Sequence, residues 1–211
     1  MPMQTAGPTD LLARSWRRCA DALAARPIGQ VVFDELVARY SEPHRKYHTL
    51  QHLMECLAHF EAVGDLADQP GEVEMALWFH DAIYDTQRHD NEAESAAWAR
   101  RALCEAGARD EVADRVHALV MATRHSETPA TADERLLVDI DLAILGAAPE
   151  RFAEYERQIR AEYAFVPEDV FRAKRREILQ AFDARRPIYA TPALRERLEA
   201  AAHANLSRSL A

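Results

Sequence analysis

His80 and Asp81 close the apolar run Met75-Ala76-Leu77-Trp78-Phe79, and Ala82 and Ile83 carry that run on. A stretch apolar on nearly every side reads as a buried helix, because no face is left for water. A carboxylate buried there is costly unless a cation or a hydrogen-bond network compensates it. Imidazole beside carboxylate is a donor set that divalent metals favour. The pair therefore marks either a metal site or a structural His–Asp hydrogen bond at a helix end.

Two further groups have the right chemistry. His48 and His52 stand one helical turn apart, a recognised ligand spacing that two surface histidines would also show. On a helical wheel the pair lies roughly opposite the stripe Leu50, Leu53, Met54, Leu57 and Phe60, which counts against both unless His48 sits at the helix cap. Asp139 and Asp141 are separated by about 200° on a helix, so one ion cannot easily take both. Leu137, Ile140 and Ile144 define the apolar face, and Asp141 falls inside it. That makes Asp141 the better ligand and Asp139 a solvated or supporting group.

Helices must position these residues. Ala, Glu, Arg and Leu dominate, only 6 residues are Gly, and no strand pattern or repeat occurs, so the expected class is all-α. Helical periodicity and breakers place helices over Leu11–Ala25 (capped by Thr9 after a loose Met1–Pro8 tail), Val31–Tyr40 and Thr49–Val63. The His-Asp helix follows from Glu72. Further helices run from Asn91 to Ala106, Glu111–Met121, Asp133–Leu145, Pro149 towards Pro167, Glu168–Ala184 and Leu194–Leu206. The loop from Ser41 to His48 is dense in His, Arg and Tyr. At 211 residues, 48% hydrophobic and 29% charged, the chain suits a single domain over 1–211. Its last helices either pack on the core or form an oligomer face.

The formal charge of −9, with no basic block, argues against a nucleic-acid partner. Cys19, Cys56 and Cys104 are widely spaced and fit a reducing compartment rather than a disulfide framework. With no secretory pattern and no apolar run of spanning length, a cytoplasmic protein with no membrane partner is expected.

The ordered set Arg45-x-Tyr47-His48-x-x-x-His52, Phe79-His80-Asp81-x-x-Tyr84-Asp85, Asn91-Glu92-x-x-Ser95-Ala96 and Asp139-x-Asp141-Leu142-x-Ile144-Leu145-Gly146 resembles the HD-domain superfamily of metal-dependent phosphohydrolases. The resemblance spans Arg45 to Gly146, within a motif core of about 40–146, and leaves 149–211 as a helical extension. It implies a helical bundle in which His48, His80, Asp81 and Asp141 hold one divalent ion: Mn, Fe, Co, Ni, Zn or, less suitably, Mg. It also implies hydrolysis of a small phosphorylated metabolite, plausibly a nucleotide. Asp85, one turn past Asp81, is placed to orient or deprotonate the attacking water, with Glu92 as the second choice. Arg45, Arg124 and His125 are the expected phosphate contacts. The rival is a non-catalytic metal- or nucleotide-binding module signalling through its terminal helices.

Overall fold

The computed structural model describes residues 8–24, 26 and 28–211. Among them are ten α-helices and no strand. In order these are α1 (Pro8–Leu23), α2 (Gln30–Arg39), α3 (Leu50–Val63), α4 (Pro70–Phe79), α5 (Asn91–Glu105), α6 (Asp110–Ala122), α7 (Ala132–Asp141), α8 (Pro149–Glu162), α9 (Glu168–Asp183) and α10 (Pro192–Leu210). Short 3-10 turns follow α3 and α7, at Gly64–Leu66 and Leu142–Gly146. Residues 1–7 of the expected Met1–Pro8 tail and the breaker Pro27 lie outside the described residues, while Pro8 is already helical. α1 begins at Pro8, so Thr9 falls within the helix rather than ahead of it.

α4 is the axis of the molecule. Every residue from Glu72 to Phe79 is buried, and α1, α3, α5, α6 and α7 pack around it. Its two buried carboxylates are neutralised from the periphery. Glu72 receives the fork of Arg115 at 2.7 and 2.6 Å, and Glu74 receives Ser15 Oγ at 2.6 Å and Arg18 Nε at 2.8 Å. Trp78 Nε1 donates to Ser15 Oγ at 2.9 Å, so the polar atom of a large buried ring is satisfied.

α7 is set by both ends. Thr131 and Glu134 form a capping box, with Glu134 N–H donating to Thr131 Oγ1 at 3.1 Å and Thr131 N–H to Glu134 Oε2 at 3.1 Å. Asp133 accepts the N–H groups of Asp68 and Gln69 at 2.7 and 3.0 Å, which aligns the start of α7 with the turn entering α4. At its far end α7 stops at Asp141, four residues earlier than the periodicity indicates, because the backbone tightens into the 3-10 turn.

That turn lies directly on α10. A Cβ on Gly146 would stand 2.7 Å from Leu198 Cβ and 2.8 Å from its carbonyl oxygen, so only glycine permits the approach. Asn205 Nδ2 donates to the carbonyls of Leu145 and Ala147 at 2.8 and 2.9 Å. Asp139, expected to be solvated or to support a ligand, is buried and accepts the N–H groups of Ala190 (3.0 Å) and Thr191. Its carboxylate satisfies the backbone entering α10, and the C-terminal helices are thereby tied to the core.

Candidate metal centre

The C-terminal end of α4 delivers His80 as its capping residue and Asp81 in the turn that follows. Carbonyls at a helix end lack intrahelical donors. Arg45 supplies them: its guanidinium donates to the carbonyls of Asp81, Ala82 (3.0 Å) and His48 (3.2 Å), while Nε holds Glu42 at 3.0 Å. Asp81 N–H donates to Tyr40 Oη at 3.3 Å, and that hydroxyl donates to the Trp78 carbonyl at 3.2 Å. The His-Asp turn is thus held by the side chain of Tyr40, which caps α2, and by Arg45 of the loop preceding α3.

Four side chains from α3, α4 with its following turn, and α7 converge. His52 Nε2 lies 3.0 Å from His80 Nε2, 3.4 Å from Asp81 Oδ2 and 3.2 Å from Asp141 Oδ1. His80 Nε2 lies 3.0 Å from Asp81 Oδ2 and 3.5 Å from Asp141 Oδ1. Ligands bound at about 2.0–2.2 Å from one ion stand roughly 3.0–3.5 Å from each other, the shorter value for octahedral and the longer for tetrahedral angles. The five separations from the two imidazole nitrogens span that interval. Cys56, one turn beyond His52, has its Sγ 3.8 Å from His52 Nε2, and His52, Cys56, His80 and Asp141 form a group able to hold a metal ion.

The hydrogen-bond pattern suits ligation. His80 Nδ1–H donates to the Leu77 carbonyl at 2.8 Å, which leaves a lone pair on Nε2 in the neutral ring. His125 Nε2–H donates to Asp141 Oδ2 at 3.1 Å, leaving Oδ1 for the shared centre. His125 adopts φ of 54°, the left-handed region that non-glycine residues seldom occupy.

Electrostatics reflect the crowding. Burial acts to lower the His80 and His52 pKa values, but nearby groups overcome it: Asp81 and Tyr40 for His80, and Cys56, Tyr47 and Asp141 for His52. Both rings end well above the usual imidazole value. Burial acts to raise Asp81 and Asp141, and again loses. His80 and His48 hold Asp81 far down, while hydrogen bonds from His125, His52 and His80 do so for Asp141.

A cavity of about 650 Å³ opens from this centre. Asp81, Asp141, His125, His48 and Glu92 line it together with residues of α8 and α9. His48 belongs to the wall and not to the four-residue convergence. Its Nδ1–H donates to Glu162 Oε2 at 2.8 Å, and its ring stacks on Tyr84 with centroids 4.1 Å apart. Asp85 faces solvent and caps a turn, its Oδ1 accepting Gln87 N–H at 2.9 Å. Arg45 is buried with its donors committed to the backbone and Glu42, and so is not offered to a ligand. Arg124 is exposed beside a separate cleft formed by the 126–130 segment. Of the expected phosphate contacts, only His125 lines the cavity.

One residue of the site, Glu162, escaped the sequence reading, and another, His52, was weighed as a ligand and then placed on the wrong face of its helix. His52 is buried because α3 turns the face His52, Leu53, Cys56, Leu57, Phe60 and Val63 inward. Cys56 at i+4 was the clue to that face. Glu162, at the end of α8, accepts N–H groups from Lys46, Tyr47 and His48 at 2.7, 2.8 and 3.0 Å, and Tyr84 Oη–H at 3.0 Å. Burial acts to raise its pKa, but the His48 ring and these backbone donors bring it down to about 2. No sequence spacing links it to the loop it organises.

Fold and site together define an all-helical protein with a buried His/Cys/Asp group able to hold a metal ion. Compared with models of known protein families, with curated proteins and with solved structures, the chain finds no match. Among the described residues no helix is long and apolar enough to cross a membrane.

Proposed function

We propose that the protein is a metal-dependent phosphohydrolase of the HD type. In this reading one divalent transition-metal ion is held by His52, His80, Asp81 and Asp141, and the substrate is a small phosphorylated molecule. The observation that carries it is the meeting of two imidazole nitrogens 3.0 Å apart, each 3.0–3.5 Å from a carboxylate oxygen of Asp81 and of Asp141. A mixed His/carboxylate set favours Mn, Fe, Co, Ni or Zn over Mg. Bound there, such an ion supplies Lewis acidity and a more acidic water for attack on phosphorus.

The remaining functions fall to the cavity wall. Glu92, half-buried in the first turn of α5, is the cavity-lining carboxylate outside the metal group and takes the proton-handling role first considered for Asp85. With Nδ1–H fixed on Glu162, His48 has its second ring nitrogen for a bound group. Two buried atoms at cavity-lining residues, Tyr47 Oη and His125 Nδ1, have no hydrogen-bond partner within the protein. Such atoms are costly unless a ligand or water meets them, which supports a binding role for this part of the cavity.

The test is phosphate release from a panel of phosphate esters and nucleotides by protein loaded in turn with Mn, Fe, Co, Ni, Zn or Mg. Metal-dependent turnover, reduced about a thousandfold or more in His80→Ala, is expected. Tightly bound metal with no turnover on any ester contradicts the hydrolase reading and favours a binding module.

A further inference from the structure

The cavity is chemically two-sided, and its apolar side is where a substrate would be told apart from its competitors. Ile159 of α8, Val166 of the connection and Val170, Phe171, Ile178 and Phe182 of α9 make an apolar wall of the cavity that Asp81 and Asp141 also line, with the Phe182 ring 6.3 Å from the His125 ring. α9 buries only Leu179 among its residues, and Val170 and Ile178 remain 54% and 38% exposed on the rim. Apolar side chains left open to water beside a polar centre are expected where something apolar is bound.

The polar groups on this wall are few, and the one exposed cation, Lys174, stands at the rim with a surface partner. Arg175 is bound to Glu156 and lies 4.9 Å over the Tyr155 ring, and Lys174 Nζ is 2.9 Å from Glu177. Asn91 uses both ends of its amide on Asp85, at 3.1 and 2.9 Å. A nucleobase needs convergent donors and acceptors, and a polyphosphate needs surplus cations. Neither is present among the described residues of the α8 and α9 wall, whose cations are Lys174 and Arg175.

Resting on the proposed metal site, we infer that the substrate is a phosphate monoester of an apolar alcohol. Its single phosphoryl group lies at the His52/His80/Asp81/Asp141 centre and its hydrocarbon body along α8 and α9. Each methylene buried on that wall adds up to about fourfold in binding.

The experiment compares ethyl, butyl, hexyl and octyl phosphate with nucleoside mono-, di- and triphosphates as substrates of the metal-loaded protein. Calorimetric binding of the matching alkylphosphonates runs in parallel. The inference expects kcat/KM and phosphonate affinity to climb about two- to fourfold per methylene, with octyl phosphate at least about tenfold ahead of any nucleotide. Val170→Asp and Ile178→Asp, at rim positions that tolerate a charge, should flatten that climb. A climb in phosphonate affinity without turnover on any ester supports the ligand class while removing the hydrolase reading. Turnover that is flat with chain length, or that favours nucleotides, overturns the inference and leaves the hydrolase reading intact. A dimer that dissociates on either Asp substitution, with the climb unchanged, also overturns it, because a second copy then covers the wall.

Discussion

His48 and His52 are four residues apart and have different partners, and the difference comes from where α3 begins. Thr49 caps that helix, its Oγ1 accepting Gln51 N–H at 3.3 Å, so His48 precedes the helix and turns to Glu162 while His52 faces inward. Replacing His52 by Ala should abolish stoichiometric metal binding, read by elemental analysis of tag-free protein. His48→Ala should retain the ion while weakening turnover; loss of metal in that variant and not in His52→Ala would reverse the assignment. The wheel misplaced this face because Leu50 and Met54 were counted as core and are only half-buried, which rotated the apparent stripe away from His52. Asp141 was legible because its neighbours Leu137 and Ile140 are buried beside it. Arg45 was not, since an arginine spent on helix-end carbonyls and one offered to phosphate look alike in sequence. Arg45→Ala leaves several buried carbonyls without donors and should cost about 3 kcal/mol or more in urea unfolding. Arg124→Ala, at an exposed position, should stay within about 0.5 kcal/mol.

At the scale of elements, the existence of all ten described α-helices was readable and their ends were less so. α4 announced itself by having no polar face, and Pro70, Pro149 and Pro192 each begin a helix in the first-turn position that proline suits. The 3-10 turn Leu142–Gly146 was hidden, because its apolar residues continue the periodicity of α7 and the cause of the tightening lies in α10. Gly146→Ala would drive a methyl group into the Leu198 backbone and should cost about 1–3 kcal/mol. Asp139→Ala strands two N–H groups at the entrance to α10. Amide exchange should therefore accelerate in α10 and the Leu142–Gly146 turn ahead of α4. Unchanged exchange in α10 would mean that its anchoring does not pass through Asp139.

Over the whole molecule, the helices beyond the motif core complete the site. α8 sends Glu162 across to the loop carrying His48, and α9 walls the cavity, so residues 149–211 act with the core. Glu162 falls to about 2 in the folded state from an ordinary carboxyl value near 4.5. Its contribution is therefore complete above about pH 4.5 and disappears as the pH falls towards 2, on the order of 3 kcal/mol in all. Glu162→Gln should be less stable than the parent at pH 7 and lose less stability between pH 5 and pH 2; parallel acid-unfolding curves would contradict this. Metal at about a hundred times its Kd should add roughly 2.7 kcal/mol to folding, removable by chelator. The most direct test of the account is diffraction recorded on either side of the absorption edge of the bound metal. One anomalous peak should appear, within bonding distance of Nε2 of His52 and His80 and of carboxylate oxygens of Asp81 and Asp141. An ion ligated by His48 in place of His52, or metal-soaked crystals with no peak between these four side chains, would contradict it.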